Sequence, residues 1–163
     1  MIVFDSSTLI LLAKIELLNE ISKEIQIIVT SEVKTETTQK KVLFDAQIIR
    51  GLIEQDIIKV EEVKDARHIA RLKKDFNIAN GEASSLILSK KKGIILATDD
   101  GAAIKAAKIL GVHFTTAIDF LVRAYEKGIL TKKISIAKLE KLSKYGRYTS
   151  RIIEDAFGRL KEG

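Results

Sequence analysis

The chain has 163 residues, 46% of them hydrophobic and 31% charged, which fits one globular domain with a real core and excludes a disordered tail. It contains no cysteine, so disulfides, thiolate metal sites, iron–sulfur clusters and cysteine nucleophiles are excluded together. The formal net charge is +6 and its excess is local: residues 1–122 hold 17 Lys/Arg and 17 Asp/Glu, whereas residues 123–163 hold 11 against 5.

Met1 to Phe4 is apolar and ends in Asp5, the pattern of a short buried strand with a carboxylate at its C-terminal end. Ser6, Ser7 and Thr8 then precede Leu9 to Ala13, where small polar residues can cap a helix. Leu17, Leu18 and Ile21 continue a second helical piece. Gln26 to Val29 is rich in Ile and Val and reads as a strand. Thr30 and Ser31 open a helix to about Gln39, with another from Leu43 to Leu52. Ile57 to Val63 reads as a short strand and Ala66 to Lys74 as a helix. Asn80-Gly81 punctuates the chain before a helix over Glu82–Lys91. Gly93 to Ala97 is a further strand, ending at Thr98-Asp99-Asp100-Gly101. Ala102 to Leu110 is an alanine-rich helix, and Gly111 to Phe114 another strand. Helices follow at about 117–127, 136–144 and 150–160. Short apolar strands alternating with helices predict an α/β fold: a central, mostly parallel sheet of four to five strands in one domain over 1–163, with helices on both faces and a basic helical segment over about 123–163.

No apolar run approaches the roughly 18 residues of a membrane span, and the N-terminus does not read as a signal peptide, so a cytoplasmic address is expected. Abundant Ile, Lys and Glu lean toward a thermophile composition, although the absence of proline runs the other way.

In a parallel sheet, ligands bind at the C-terminal ends of the strands. Asp5, Asp99 and Asp100 fall at such ends. Glu36 lies in the helix after the second strand, one turn beyond Glu32, and Glu82 opens a helix after Gly81. Each has an ordinary reading of its own: Asp5 as a helix cap, Glu36 as a solvated residue, Glu82 at a positive helix end, Asp99-Asp100-Gly101 as a turn. Their joint placement is what points to chemistry. Crowded carboxylates raise each other's pKa, and a hard divalent cation, Mg²⁺ or Mn²⁺, relieves that crowding. An ion so held can activate water against a phosphodiester. A neutral body with a basic C-terminal segment adds an electrostatic footprint for nucleic acid, with a solvated helical face as the alternative.

These motifs resemble the PIN-domain nucleases. The resemblance is carried by Ile2-Val3-Phe4-Asp5-Ser6-Ser7, Val29-Thr30-Ser31-Glu32-Val33-Lys34-Thr35-Glu36, Gly81-Glu82-Ala83-Ser84-Ser85-Leu86 and Leu96-Ala97-Thr98-Asp99-Asp100, with Thr30 standing where the family commonly has proline. The tail, from Thr115 through Lys127-Gly128-Ile129-Leu130 to Leu160, resembles an uncharacterised prokaryotic PIN-like branch. The resemblance implies a three-layer PIN-like fold and a metal-dependent endoribonuclease, often the toxin of a VapC-type toxin–antitoxin pair. It implies Asp5, Glu36, Glu82 and Asp100 as the catalytic acids, and Asp5, Glu82, Asp99 and Asp100 as metal-holding residues, with Asp100 favoured over Asp99. Ser7 and Thr98 are expected to orient a carboxylate from the second row. Arg123, Lys132, Lys133, Arg147 and Arg151 are the expected nucleic-acid contacts. The implied partners are RNA, with DNA open, an antitoxin protein and a second copy of the chain.

Rival chemistries fit less well. A haloacid-dehalogenase-type phosphatase needs a second Asp where Ser7 stands, and a response-regulator receiver needs a lysine after a late strand. No Gly-x-Ser-x-Gly, P-loop or dinucleotide motif occurs. His68, on a helix, and His113, in an apparently buried strand, are expected to be structural. The alternative from another class is a PIN-fold module that binds RNA or protein with little nuclease activity. Tyr145 and Tyr148 fit that module as base-stacking groups, and equally fit the closing of a helix–helix turn.

Overall fold

A computed structural model describes residues 1–162. In chain order the elements are β1 (Ile2–Phe4), α1 (Ser6–Lys14), α2 (Leu18–Glu24), β2 (Ile27–Thr30), α3 (Ser31–Thr38), α4 (Phe44–Glu54) and β3 (Ile58–Glu61). They continue with α5 (Ala66–Phe76), α6 (Asn80–Lys92), β4 (Leu96–Ala97), α7 (Gly101–Leu110), β5 (Phe114–Thr115), α8 (Ala117–Glu126), α9 (Lys132–Tyr145) and α10 (Ser150–Glu162). All four strand pairings are parallel, in the order β3-β2-β1-β4-β5. The five-stranded parallel sheet agrees with the expectation from the alternating pattern.

Side chains alternate across each strand, and the two faces of the sheet carry separate cores. Phe4, Ile27 and Val29 face one core with Leu12, Ile49, Leu121, Leu139 and Leu160. Val3, Ile28 and Leu96 face the other, with Leu72, Leu86 and Ala106. The result is a three-layer α/β fold. Phe4 stacks on Phe120 with ring centroids 5.2 Å apart, which joins the central strand to α8. The helical hairpin α9–α10 packs on the same side through Leu139, Leu142, Ala156 and Leu160. Lys138 donates to the Ile15 carbonyl at 2.6 Å, placing a cation on a carbonyl left open at the end of α1.

Local sequence explains most boundaries. Gly93 (φ 66°) and Gly111 (φ 69°) end α6 and α7 in the left-handed conformation that costs glycine little. This cap takes Gly93 out of β4, which is shorter than the apolar run suggested. His113 is exposed just before β5, contrary to the expectation of a buried strand position. Thr30 explains its own departure from proline. Its hydroxyl accepts from Val33 N at 3.2 Å, capping α3, and bonds to Ser84 Oγ at 2.8 Å.

Leu12, on α1, is wholly buried in the first of these cores. Leu12→Ala is expected to lower the stability by about 2–5 kcal/mol. A urea midpoint equal to that of the wild type would contradict this packing.

Candidate functional site

The parallel sheet sends the ends of β1, β2 and β4 to one edge, and the chain turns there into α1, α3 and α7. Asp5 leaves the central strand at this edge and is completely buried. Its Oδ1 accepts from Ser7 Oγ at 2.7 Å and from Thr8 N at 3.2 Å, so the same carboxylate caps α1. Its Oδ2 accepts from Thr98 Oγ1, at the end of the neighbouring strand β4. Ser7 and Thr98 therefore stand against Asp5 from two different elements.

The other three acids come to the same edge from separate helices. Glu36, on α3, accepts from Ser6 Oγ at 2.5 Å and from Gly81 N at 2.9 Å. Gly81 is what permits this approach: a Cβ there would lie 2.9 Å from Glu36 Oε1 and closer still to Oε2. Glu82, in the first turn of α6, accepts from Ala79 N at 2.5 Å. Asp100 caps α7, accepting from Ala103 N at 2.8 Å. The ordinary readings thus coexist with the gathering. Asp5, Glu82 and Asp100 each satisfy a helix N-terminus, whose partial positive charge favours a carboxylate.

The charges feel one another. Burial pushes the Asp5 carboxyl up from 3.8 to about 7, against the hydrogen bonds from Thr98, Ser7 and Thr8, and Glu82 adds to the rise. Burial also raises Glu82, with Asp100 and Glu36 contributing through their charge. Glu82 thus feels the charges of Asp100 and Glu36 and acts in turn on Asp5. Among the described residues, none of the four forms a salt bridge with Lys, Arg or His.

Asp99 does not join this set. One of its oxygens, Oδ2, accepts from Thr8 Oγ1 at 2.6 Å and from Ala117 N at 3.0 Å, while Oδ1 accepts from the Tyr148 hydroxyl. Burial raises its carboxyl, and its charged neighbour is Asp119 rather than the four acids. Asp99 was expected among the metal-holding residues. Its carboxylate joins α1, the start of α8 and the α9–α10 turn, and it lines the same cleft as Asp100. Tyr148 is pushed strongly upward by burial and by Asp99, so it stays a donor. Of the two uses read for Tyr148, the structure has the one that closes the turn. Nothing local in the sequence pairs it with Asp99, 49 residues away.

A cleft of about 940 Å³ opens beside Asp100, lined among others by Lys14, Tyr145, Arg147 and Tyr148. Tyr145 is half exposed, with Lys14 Nζ 5.4 Å from its ring centroid. The five expected nucleic-acid contacts separate. Arg147 lines this cleft and Arg151 is exposed at the start of the hairpin's second arm. Arg123 lines a different cavity with Met1, Ile2 and Ile95, at the opposite ends of the strands. Lys132 Nζ bonds the Lys161 carbonyl at 2.9 Å, and the exposed Lys133 follows it, at the end of the hairpin away from its turn.

The donor set suits a hard cation, being all carboxylate oxygen with no cation already paired to it. Among the described residues, no three acids or histidines stand close enough together to hold an ion directly. Mg²⁺ usually keeps several waters and uses one or two carboxylates.

The family model DUF3368, described as a PIN domain, matches residues 1–162. A PilT N-terminus domain protein, SSO1118 from the hyperthermophilic archaeon Sulfolobus solfataricus P2, superimposes with a TM-score of 0.56 at 18% identity, over 77% of this chain and 93% of its own. PAE2754 from Pyrobaculum aerophilum does so with a TM-score of 0.53 at 20% identity, over 75% of this chain and 94% of its own. At these identities the likeness is one of fold. No curated protein matches the chain in sequence.

The buried Asp5 sets a pH dependence. The folded chain keeps its proton up to about pH 7, whereas the unfolded chain loses it near 3.8. Between those values the unfolded state binds fewer protons, so stability falls as pH rises. In EDTA, the melting temperature is expected to drop between pH 4 and 7, a loss on the order of 4 kcal/mol at its limit. Asp5→Asn should flatten that drop. Parallel melting curves for the two proteins would refute the assignment.

Proposed function

The chain belongs to the PIN-domain family, whose members are generally nucleases that use divalent metals, and from that premise we propose that it is a divalent-metal-dependent endoribonuclease. The observation that carries the reading is the convergence of Asp5, Glu36, Glu82 and Asp100 from four separate elements, with the Asp5 and Glu82 carboxyls raised chiefly by burial and no cationic partner among the described residues. A structural acid normally has a cation, a helix N-terminus or a solvated position, and here three acids with helix N-termini share one edge with a fourth. Repulsion kept at a sheet edge is what a cation site requires of its empty protein.

Mg²⁺ or Mn²⁺ would supply an activated water and a positive counter-charge for the phosphate. Asp5 and Asp100 are the residues assigned to hold it. Ser7 and Thr98 fix both oxygens of Asp5, so its orientation does not depend on the ligand. Glu36, held by Ser6 and Gly81, brings a further negative charge to the edge in a fixed direction. The Glu82 carboxyl, raised by burial and by the charges of Asp100 and Glu36, takes a proton more readily than an ordinary glutamate. Lys14 and Arg147, lining the cleft beside Asp100, are placed for the phosphates of a single strand.

The test is cleavage of labelled single-stranded RNA and DNA with Mg²⁺, with Mn²⁺ and with EDTA. Wild type should cut RNA only with metal, and Asp5→Asn or Asp100→Asn should lose at least ~100-fold in rate while remaining folded. A folded wild type that binds RNA without cutting it would replace this reading with that of a binding module. Gly81→Ala probes Glu36 separately. A methyl group displaces the end of the flexible Glu36 side chain, while alanine favours the helix by up to ~1 kcal/mol. The expected result is unchanged or slightly raised stability with a clear loss of rate; full activity would remove Glu36 from the site.

A further inference from the structure

We infer that Tyr148 is a positioning residue for the acid site, acting through Asp99 on both Asp5 and Asp100; this rests on the nuclease reading. The path is continuous. The Tyr148 hydroxyl donates to Asp99 Oδ1, and Thr8 Oγ1 and Ala117 N hold the carboxylate from the other sides. The Asp99 backbone N–H donates to Ser7 Oγ at 2.9 Å, and Ser7 Oγ donates to Asp5 Oδ1 at 2.7 Å. On the C-terminal side, Asp100 N donates to Thr98 Oγ1 at 3.3 Å, and Thr98 donates to Asp5 Oδ2. Residues 98–100 therefore carry both the anchored carboxylate and the backbone that aims the acids. Whatever holds Asp99 holds that turn.

A second, independent feature indicates that the tyrosine ring has a built seat. Gly146 stands where a Cβ would come 2.8 Å from Tyr148 Cδ2 and closer to Cε2, so the missing side chain makes room for the ring. Gly146 itself takes an extended backbone that other residues adopt freely, so the close approach of the ring is the constraint on side-chain size. The hairpin behind it is anchored in the core by Leu139, Leu142, Ala156 and Leu160. The C-terminal hairpin thereby becomes a rigid arm whose turn grips the acid edge. A surface tyrosine closing a loop would have no such consequence for the acids.

Tyr148→Phe removes only the donor, and Gly146→Ala moves the ring while keeping the hydroxyl. Both are compared with wild type, Asp100→Asn and the control Tyr125→Phe. Three quantities are measured on each folded protein: Mn²⁺ affinity by electron paramagnetic resonance of the free ion, kcat and KM on single-stranded RNA, and melting temperature. Both latch variants are expected to lose roughly tenfold or more in Mn²⁺ affinity and in kcat, with KM within about twofold. Tyr125→Phe should match wild type. A latch variant that melts lower yet keeps Mn²⁺ affinity and kcat within about twofold would overturn the inference and leave a structural contact. If Asp100→Asn abolishes cutting while Tyr148→Phe does not, the inference fails and the nuclease reading stands. If the folded wild type neither binds Mn²⁺ nor cuts, the nuclease reading fails and takes the inference with it.

Discussion

Asp5 sits at the end of the central strand with no exposure to solvent, and an ionised carboxylate in that position is costly unless donors surround it. Three donors do so, from Ser7, Thr8 and Thr98, and they arrive from both the following helix and the neighbouring strand. Even so, burial wins, and the carboxyl is held near 7 rather than near 3.8. The rest of the edge depends on this balance. β4 must lie beside β1 to bring Thr98, α1 must begin at once to bring Thr8, and β2 must flank β1 on the other side to launch α3 with Glu36.

The scaffold and the site use the same atoms. Asp5 and Asp100 cap helices, and Glu82 bonds the backbone ahead of its own helix, so three site acids also stabilise the fold. This sharing explains how four carboxyl groups are tolerated at one edge without a salt bridge among the described residues. Helix N-termini supply fractional positive charge and directed N–H groups, and they do so without occupying the space a hydrated cation needs. Replacing them with lysines would settle the charge and close the site.

Much of the fold was legible because parallel strands buried on both faces read as short apolar runs, and helices between them show their caps. Asp5, Glu82 and Asp100 stand just after a strand or at a helix start, which that pattern sends to one edge, whereas Glu36, more than a turn into α3, meets them there through Gly81. Other features were not legible. His113 reads as buried within an apolar stretch, yet β5 is a two-residue edge strand and the residue before it is exposed. Asp99 and Asp100 are adjacent and chemically identical, and their opposite fates depend on which way each carboxylate turns from the end of β4. The basic segment reads as one patch, but a helical hairpin sends Arg147 to the acid edge and Lys132 to the hairpin's other end.

By itself the sequence determined the strand and helix succession, the absence of thiol chemistry, and the register of acids relative to strand ends. Those follow from local periodicity and from residue type, which neighbours in the chain decide. Only the tertiary structure decided that Glu36 closes on Gly81, that the Asp99 carboxylate takes the Tyr148 hydroxyl, and that the C-terminal hairpin reaches the site at all. Such contacts join residues 45 and 49 positions apart, and their partners are selected by packing in space. A hydroxyl or a carboxylate carries no mark of its distant partner until the sheet and both cores have brought the two within bonding range.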